Sequence, residues 1–295
     1  MGKVITVMNM KGGVGKTTVT MNIGGAIATY NLLNGPLQDP KKGTNVLLID
    51  YDPQFNLTQA YIKPAVYFDL EKKRKTTLSI LQDNEVDLDP FQLQVPGNHT
   101  PPKLSDIVFT FRKFHNGSVL DIIPSTLDLM YVALGQANVN TKPIEERFEK
   151  FIEECKKTYD VIFIDCHPAG SLFTKTALRN SDHVLIPVIP QKYAVRGIGL
   201  MMQFIKSKTL IKNAPTAHIL FNHTARSGKS DQELEIREHK EYGDLCLGET
   251  LKKFKAFSEP EEGKNFVWTS SKAYSTEALG NLLKVSRELL GRIKD

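Results

Sequence analysis

The stretch Lys11-Gly-Gly-Val-Gly-Lys-Thr-Thr18 decides the fold, because it stands between a short apolar run at residues 4–7 and a segment of helical character. Glycines permit tight turns and let backbone N–H groups approach phosphate oxygens closely. The helix that begins near Lys16 adds the positive end of its dipole. A strand, a glycine loop and a helix in this order indicate a phosphate-binding loop. The alternative is a glycine turn that merely precedes a helix, and the Gly-Lys-Thr-Thr ending argues against it.

The residue types within this loop predict ATP and Mg²⁺ as its ligands. We expect the Lys16 ammonium to contact the β- and γ-phosphates and the Thr17 hydroxyl to ligate Mg²⁺. The predicted nucleotide-binding residues of the loop are Lys11, Gly12, Gly13, Val14, Gly15, Lys16, Thr17 and Thr18.

Short apolar, β-branched runs alternate with longer helical stretches, the pattern of a parallel sheet with helices on both faces. Predicted strands occupy residues 4–7, 46–49, 119–123, 161–164, 184–188, 219–221 and 266–268. Residues 34–44 predict a surface loop, and residues 61–117 predict irregular excursions with short helices. The sequence therefore predicts an α/β fold of the P-loop NTPase type. Residues 1–295 would form a single domain with insertions around 34–44 and 61–117. Its doubly wound, mostly parallel β-sheet would be flanked by helices.

Composition narrows the class of protein. The net charge of +5 and the pI of about 8.9 are compatible with a polyanionic partner without demonstrating one. Cys155, Cys166 and Cys246 lie far apart without a CxxC pair, which argues against a disulfide framework, a zinc site and an iron–sulfur cluster. No apolar run approaches the roughly 20 residues that span a bilayer, and the N-terminus leaves no room for a signal peptide. We expect a cytoplasmic protein.

Two further segments end apolar runs with carboxylates. Residues 46–58 (VLLIDYDPQFNLT) place Asp50 and Asp52 at a predicted strand end, where an anion could polarise and align a water against the γ-phosphate. Within residues 159–168 (YDVIFIDCHP), the apolar strand ends in Asp165, which a nearby divalent cation would keep ionised. His167 lies two residues after Asp165, but Mg²⁺ prefers oxygen ligands to imidazole. We therefore interpret His167 as a substitution that the site tolerates and not as a metal ligand.

These segments together resemble the ParA/MinD family of ATPases. The common GxxxxGK[ST] loop would have its first glycine at Met10, and Lys11 stands next, which resembles the deviant Walker A loop of that family. Residues 49–58 are similar to the family's IDxDPQxNxT segment, and residues 176–188, 193–199 and 254–260 continue the likeness. The resemblance covers residues 3–58 and 119 to the C-terminus, and it leaves the two insertions unmatched. In place of His167 the family usually has proline.

The resemblance implies a role for each site residue. Lys11 would reach across a dimer interface to the partner's nucleotide, so that Lys11, Lys16 and Asp52 are the expected catalytic residues. Asp52 would orient the attacking water near Mg²⁺ and Asp50 would support the outer shell of the metal, so the expected metal site comprises Thr17, Asp52 and Asp165. Asn222 stands where related proteins contact adenine, and a turn asparagine is the equal alternative.

The Asp-Pro-Gln-x-Asn-x-Thr segment favours the ParA/Soj-type partition branch of the family. Such ATPases dimerise on ATP, bind DNA without sequence preference and leave it when a centromere-binding or cargo adaptor protein stimulates hydrolysis. We therefore expect an ATP-dependent homodimer, non-specific DNA as a partner, no membrane, and a nucleoid-associated location in the cytoplasm. The candidate DNA-binding residues are Lys252, Lys253, Lys255 and Lys272, with Lys206, Lys208 and Lys212 as a second patch. Each lysine could equally be a solvated surface residue.

Two other functions stay open at the level of sequence. A MinD-like membrane-associated positioning ATPase would use the last helix, predicted at residues 276–293, as its targeting element. The mixed charges on the polar face of that helix favour closure of the core instead. A nucleotide-gated regulator of another complex would show negligible affinity for DNA.

Overall fold

One eight-stranded sheet organises the chain. The computed structural model describes residues 1–34, 42–83, 89, 93–134, 140–167, 172–207 and 213–294. The strands are β1 (Lys3–Val7), β2 (Asn45–Tyr51), β3 (Phe109–Lys113), β4 (Val119–Ile123), β5 (Val161–Cys166), β6 (His183–Val188), β7 (Thr216–Thr224) and β8 (Leu251–Lys252). Their spatial order is β3-β4-β2-β5-β1-β6-β7-β8, and every pairing except that of β3 with β4 is parallel. This confirms the predicted doubly wound, mostly parallel sheet.

Helices cover both faces of the sheet. They are α1 (Lys16–Thr29), α2 (Asn56–Tyr61), α3 (Pro64–Lys72), α4 (Leu78–Leu81), α5 (Leu104–Ile107), α6 (Leu129–Leu134), α7 (Lys142–Thr158), α8 (Leu172–Arg179), α9 (Ala194–Ile205), α10 (Asp231–Arg237) and α11 (Ser275–Ile293). One hydrophobic cluster joins the sheet to α7, α8 and α9, and a second joins it to α1, α2 and α11. Because both of its faces are covered, β5 is buried at all six residues, as expected for a central parallel strand.

Six of the seven predicted strands are confirmed, and the seventh is wrong. Residues 266–268 form a turn in which the Thr269 amide donates to the Phe266 carbonyl at 2.9 Å. Phe266 is buried because it packs against the rings of Tyr61 and Trp268, not because it pairs with the sheet. An apolar aromatic run cannot by itself distinguish these two kinds of burial. The edge strand beside β7 is β8, whose two residues are too short to carry a strand pattern.

The second insertion contains more order than the sequence predicted. Its described residues include the short helices α3, α4 and α5, as expected, but also β3, the antiparallel edge strand that the sequence analysis missed. Buried Arg147 of α7 holds this region in place by donating to five backbone carbonyls, those of Ser79, Ile80, Gln82, Asn98 and Thr100. In the first insertion, residues 35–41 lie outside the described part of the chain.

The last helix closes the core, as expected. Along α11, Leu282, Val285, Leu289 and Ile293 are buried in the cluster that contains α1. The sequence placed this helix at residues 276–293, one residue short of the observed start. No helix in the described ranges is both long and apolar enough to cross a bilayer.

A pair of histidines is buried between β6 and β7. The Nδ1 atom of His183 lies 3.2 Å from Nε2 of His218, so the two rings share one hydrogen bond. Burial, the neighbouring His183 and Arg292 lower the pKa of His218 to about 4. Burial and Lys3 also lower the pKa of His183. The pair is therefore neutral at physiological pH.

This pair predicts an acid-sensitive contribution to stability. A histidine whose pKa is lower in the folded state binds its proton more readily after unfolding, so acid favours the unfolded chain. Stability should fall as the pH drops from about 6.5 to about 4, by up to about 1.4 kcal/mol per pH unit from His218. In urea titrations across this range, His218→Asn should show a flatter dependence than the wild type. Exposed His115 supplies the control, and an equal flattening in His115→Asn would contradict the assignment.

Candidate functional site

Three adjacent strands end at one edge of the sheet and bring the predicted site residues together. The register pairs Asp165 of β5 with Val7 of β1 on one side and with Asp50 of β2 on the other. The glycine loop follows β1 directly, and Asp52 follows β2. Parallel strands present their carboxyl ends on the same side, so residues distant in sequence meet there.

The phosphate loop adopts a backbone conformation that requires glycine at two positions. Gly13 and Gly15 have φ angles of 73° and 85°, in the left-handed region that only glycine enters at low cost. A Cβ atom on Gly15 would collide with the Asn222 side chain, which lies against this turn. Upstream, the Asn9 amide donates to the Pro187 carbonyl at 2.8 Å, and its oxygen accepts from the Lys11 N–H at 2.9 Å. The loop is therefore tied to β6 through Asn9.

The part of the loop predicted to hold phosphate is open. Lys11, Gly12 and Gly13 are exposed, and no atom lies within 4 Å of a Cβ atom built on either glycine. Val14 is buried, whereas Gly15, Lys16, Thr17 and Thr18 are half-buried where α1 begins. The loop thus combines a rigid base with an accessible backbone surface, as a phosphate cradle requires.

A buried carboxylate faces the first turn of α1. The Thr17 hydroxyl donates to Asp165 Oδ2 at 2.6 Å, and the Thr20 hydroxyl reaches Oδ1 at 3.4 Å. Burial raises the pKa of Asp165 to about 7, and the nearby Asp52 carboxylate adds to this shift. The Thr17 hydrogen bond and the Lys16 ammonium act in the opposite direction without cancelling it. The folded chain therefore holds Asp165 in buried surroundings that disfavour the ionised form of its carboxyl group.

Asp50 and Asp52 differ in their surroundings. Asp50 is fully buried, and its Oδ2 atom accepts from the amide and the hydroxyl of Thr58, at 2.8 and 2.6 Å. Burial raises the pKa of Asp50 well above its usual range, with a further contribution from Asp165. Asp52 is half-buried, and its Oδ1 atom accepts from the Gln54 amide at 2.9 Å. Asp50 therefore anchors the start of α2, whereas Asp52 is accessible to a substrate or water.

These residues fit Mg²⁺ and a triphosphate. The Thr17 hydroxyl and the Asp52 and Asp165 carboxylates supply only oxygen donors, the kind that Mg²⁺ prefers. A cation beside Asp165 would offset the burial that raises the pKa of this group. The open space above Gly12 and Gly13 and the Lys16 ammonium suit an anion of high charge.

Asn222 lies two residues before the end of β7 and is buried against the loop. Its Nδ2 atom donates to the Val14 carbonyl at 2.8 Å, and its Oδ1 atom accepts from the His223 amide at 2.9 Å. In this structure, Asn222 therefore positions the phosphate loop. The adenine contact expected from the resemblance stays a prediction.

Sequence reasoning missed three residues that shape the site. Asn9 orients the loop, Thr20 supports Asp165, and Thr58 holds Asp50. A polar residue on the predicted buried face of α1 was the available signal for Thr20. Thr58 ends the quoted segment 46–58 and Asn9 lies two residues before the glycine loop, but the partners of both could be assigned only from the fold.

The predicted DNA-binding lysines lie at the end of β8 and after it, with Lys252 as the last residue of the strand. Lys253, Lys255 and Lys272 are exposed, and Lys252 is half-buried. Glu259 forms an ion pair with Lys272 at 3.0 Å and a longer one with Lys255 at 3.9 Å, so part of this positive charge is balanced locally. In the second patch, Lys206 is exposed after α9, and Lys208 and Lys212 lie outside the described residues.

Arg226 adds a cation that sequence reasoning did not single out. Its guanidinium lies between the rings of Phe254 and Tyr274, with Cζ 4.7 and 4.3 Å from their centroids. Stacking of this kind restricts the guanidinium plane before any anion binds.

Comparison with known proteins identifies related chains. The family model described as an AAA domain (AAA_31) matches residues 2–216. The sporulation initiation inhibitor protein Soj of Bacillus subtilis is 32% identical over 212 residues, which is 70% of this chain and 66% of Soj. The chromosome partitioning protein ParA of Caulobacter vibrioides is 26% identical over 302 aligned residues, covering 99% and 96% of the two chains. The structure of pNOB8 ParA bound to nonspecific DNA is 20% identical, with a TM-score of 0.60 and coverage of 100% and 99%.

The loop geometry predicts different costs for two glycine substitutions. Gly15→Ala should destabilise the protein by at least about 1–2 kcal/mol, since its φ angle is positive, and the contact with Asn222 should add to this. Gly12→Ala is the matched control, because its Cβ atom meets only open space and its φ angle is not positive. Urea unfolding without nucleotide measures both variants. Equal losses would contradict the described loop conformation.

Proposed function

Because this chain belongs to the ParA/MinD-type family of P-loop ATPases, we propose that it is a ParA-type partition ATPase. It would dimerise on ATP, bind DNA without sequence preference, and position a plasmid or chromosomal cargo in the nucleoid. An adaptor protein on the cargo would stimulate hydrolysis and release the dimer from DNA. The observation that carries the nucleotide-binding part of the proposal is the 2.6 Å contact between Thr17 and Asp165 at the base of an open glycine loop, and the similarity to partition ATPases supports the remainder.

Each residue at this edge of the sheet would have a separate role in ATP hydrolysis. Lys16 and the loop amides would bind the phosphates, while Thr17 and Asp165 would hold Mg²⁺, which neutralises phosphate charge when bound. Asp52 is the accessible carboxylate, so it would orient the attacking water and accept its hydrogen bond. Asp50 would fix the segment that carries Asp52 through its bonds to Thr58.

Lys11 would complete the site from a second copy of the chain. Its side chain is exposed at the open end of the loop, and its amide is fixed by Asn9. An ammonium reaching the partner's nucleotide would stabilise charge on the transferring phosphoryl group, as an arginine finger does. ATP would then form part of the dimer interface, which makes nucleotide binding the switch.

The lysines beyond β8 supply the proposed DNA surface. Lys253 is exposed with no ion pair among the described residues, and Lys272 and Lys255 share Glu259. The stacked guanidinium of Arg226 offers a further donor to phosphate. Such contacts depend on the DNA backbone and carry no base readout.

Substitution of Asp52 should separate ATP binding from hydrolysis. Asp52→Ala should bind ATP with near wild-type affinity but turn it over at least about 100-fold more slowly, because the water loses its orienting group. ATP-dependent dimers should persist in size-exclusion chromatography. Lys16→Ala is the companion variant and should lose nucleotide binding itself. Rapid hydrolysis by Asp52→Ala would assign the water-positioning role to another residue.

DNA binding should depend on ATP, on salt and on the surface beyond β8. In gel-shift titrations with unrelated duplexes, Lys253→Ala should lower the slope of log affinity against log salt by about 0.9, the value for one phosphate contact. Lys113→Ala is the control, because exposed Lys113 lies on β3 at the opposite edge of the sheet. Absence of any ATP-dependent shift would contradict the partition function.

A further inference from the structure

An apolar groove opens beside the segment that carries Asp52. It has a volume of about 440 Å³ and lies between α2, α3 and the turn at residues 261–264. We call it the α2–α3 groove, and its apolar lining is Phe55, Ile62, Pro64, Tyr67, Phe68 and Leu127. A cavity of this size accommodates a few side chains of a bound segment.

Its apolar residues are presented to solvent. Phe68 is 63% exposed and Leu127 is 60% exposed, although each is a large hydrophobic residue. Phe55 and Tyr67 stack in parallel, with ring centroids 5.2 Å apart, so one part of the lining is already ordered. Exposed apolar residues grouped around a cavity mark an interaction site, whereas single ones do not.

The same groove carries negative charge in a chain whose net charge is +5. Glu71, Glu261 and Glu262 line it, and none of the three forms an ion pair with a lysine or arginine that the structure describes. Glu71 is held in place because Tyr67 and Thr126 both donate to its Oε1 atom at 2.6 Å. These carboxylates repel phosphate, which disfavours DNA and anionic lipid as occupants. They attract a cationic segment.

Two residues at the edges of the groove have left-handed backbone conformations, and they belong to a set of eight such non-glycine residues in the described chain. Phe55 and Glu262 adopt positive φ angles of 41° and 50°, which are costly for residues with side chains. The turn that holds Glu262 is bonded to α2, since the Glu262 and Gly263 amides donate to Gln59 and Ala60 carbonyls at 2.9 Å. The groove is thus built from α2 and a turn that is hydrogen-bonded to α2.

A direct chain of contacts joins the groove to the catalytic edge. Thr58 lines the groove, and its amide and hydroxyl both donate to Asp50. Its hydroxyl oxygen also accepts from the Ser125 amide at 2.9 Å, which links it to the loop that bears Leu127. The Phe55 amide donates to the Asp52 carbonyl at 2.9 Å. A segment seated against Phe55 and Leu127 would therefore bear on the backbone around Asp52.

We propose that the α2–α3 groove binds a short cationic segment of another protein, anchored by apolar side chains, and that its occupancy adjusts hydrolysis at Asp52. The binding step rests on the apolar lining and the unpaired carboxylates alone. The regulatory step rests on the proposed function, because it needs Asp52 to orient the attacking water.

Fluorescence anisotropy of nucleotide-free protein tests the binding step. The probe is the fluorescein-labelled peptide acetyl-LKKFLKKLLKKF-amide, and a peptide with glutamate in place of every lysine is its control. Phe68→Ala/Leu127→Ala should weaken binding of the lysine peptide about tenfold. Leu200→Ala/Leu234→Ala is the matched variant, since both residues are exposed leucines on other helices, and it should bind like the wild type.

A second pair of variants tests the charge requirement. Glu261→Gln/Glu262→Gln should weaken binding of the lysine peptide and flatten its salt dependence. Glu235→Gln/Glu241→Gln removes the same charge from exposed positions elsewhere and should leave both unchanged. Absence of binding to the wild type, or equal losses in the groove and control variants, would overturn the proposal.

ATP turnover and self-association distinguish the remaining outcomes. Saturating lysine peptide should change turnover at least about twofold in the wild type and leave Phe68→Ala/Leu127→Ala unaffected. Peptide binding without this change would remove the regulatory step and keep the docking site. If the groove variant instead abolished ATP-dependent dimers, the occupant would be a second copy and the proposal would be wrong. A protein that binds the peptide but no DNA would retain the groove and lose the partition function.

Discussion

The hydrogen bond from Thr17 to Asp165 is the contact on which the site depends, because it joins the first turn of α1 to the central strand β5. The bond places a buried acid directly beneath the opening of the phosphate loop. Burial raises the pKa of Asp165 to about 7, so the polypeptide alone does not provide a favourable environment for the charged carboxylate. A divalent cation beside Asp165 would stabilise the negative charge that burial disfavours. The poor solvation of this carboxylate is therefore consistent with its expected role as a metal ligand.

The conformation of the phosphate loop also depends on a small number of contacts. Gly15 has a left-handed backbone, and the Asn222 amide occupies the place where any larger residue would put its Cβ atom. In return, that amide donates to the Val14 carbonyl and prevents a buried acceptor from remaining unpaired. Asn9 performs a similar function on the β6 side. Two asparagines, Asn222 on β7 and Asn9 just after β1, thus hold the loop, so its backbone amides are positioned before phosphate binds.

Much of the fold and the central residues of the site could be predicted from the sequence, because both depend on local sequence patterns. The strands buried on both faces are continuous apolar runs, and the phosphate loop has a fixed spacing. Features that depend on tertiary contacts could not be predicted from the sequence. Two-residue β8 is too short to show a pattern, and Phe266 is apolar because it packs on rings instead of pairing in the sheet. Asn222 was recognisable as a polar strand end, but its bond to Val14 needed the fold.

The buried pair of Asp50 and Thr58 explains how the site and the surface beside α2 can act as one unit. Asp50 is too deeply buried to meet substrate, and its bonds run toward α2 instead. Because Thr58 also accepts from Ser125, three chain segments share one polar cluster behind Asp52. A displacement of α2 would deprive Asp50 of its two bonds from Thr58 in surroundings that disfavour its charge, at a large cost. The bonds of Thr58 to Asp50 therefore oppose a displacement of α2, and the proposed occupant of the groove would act on the segment around Asp52 through this cluster.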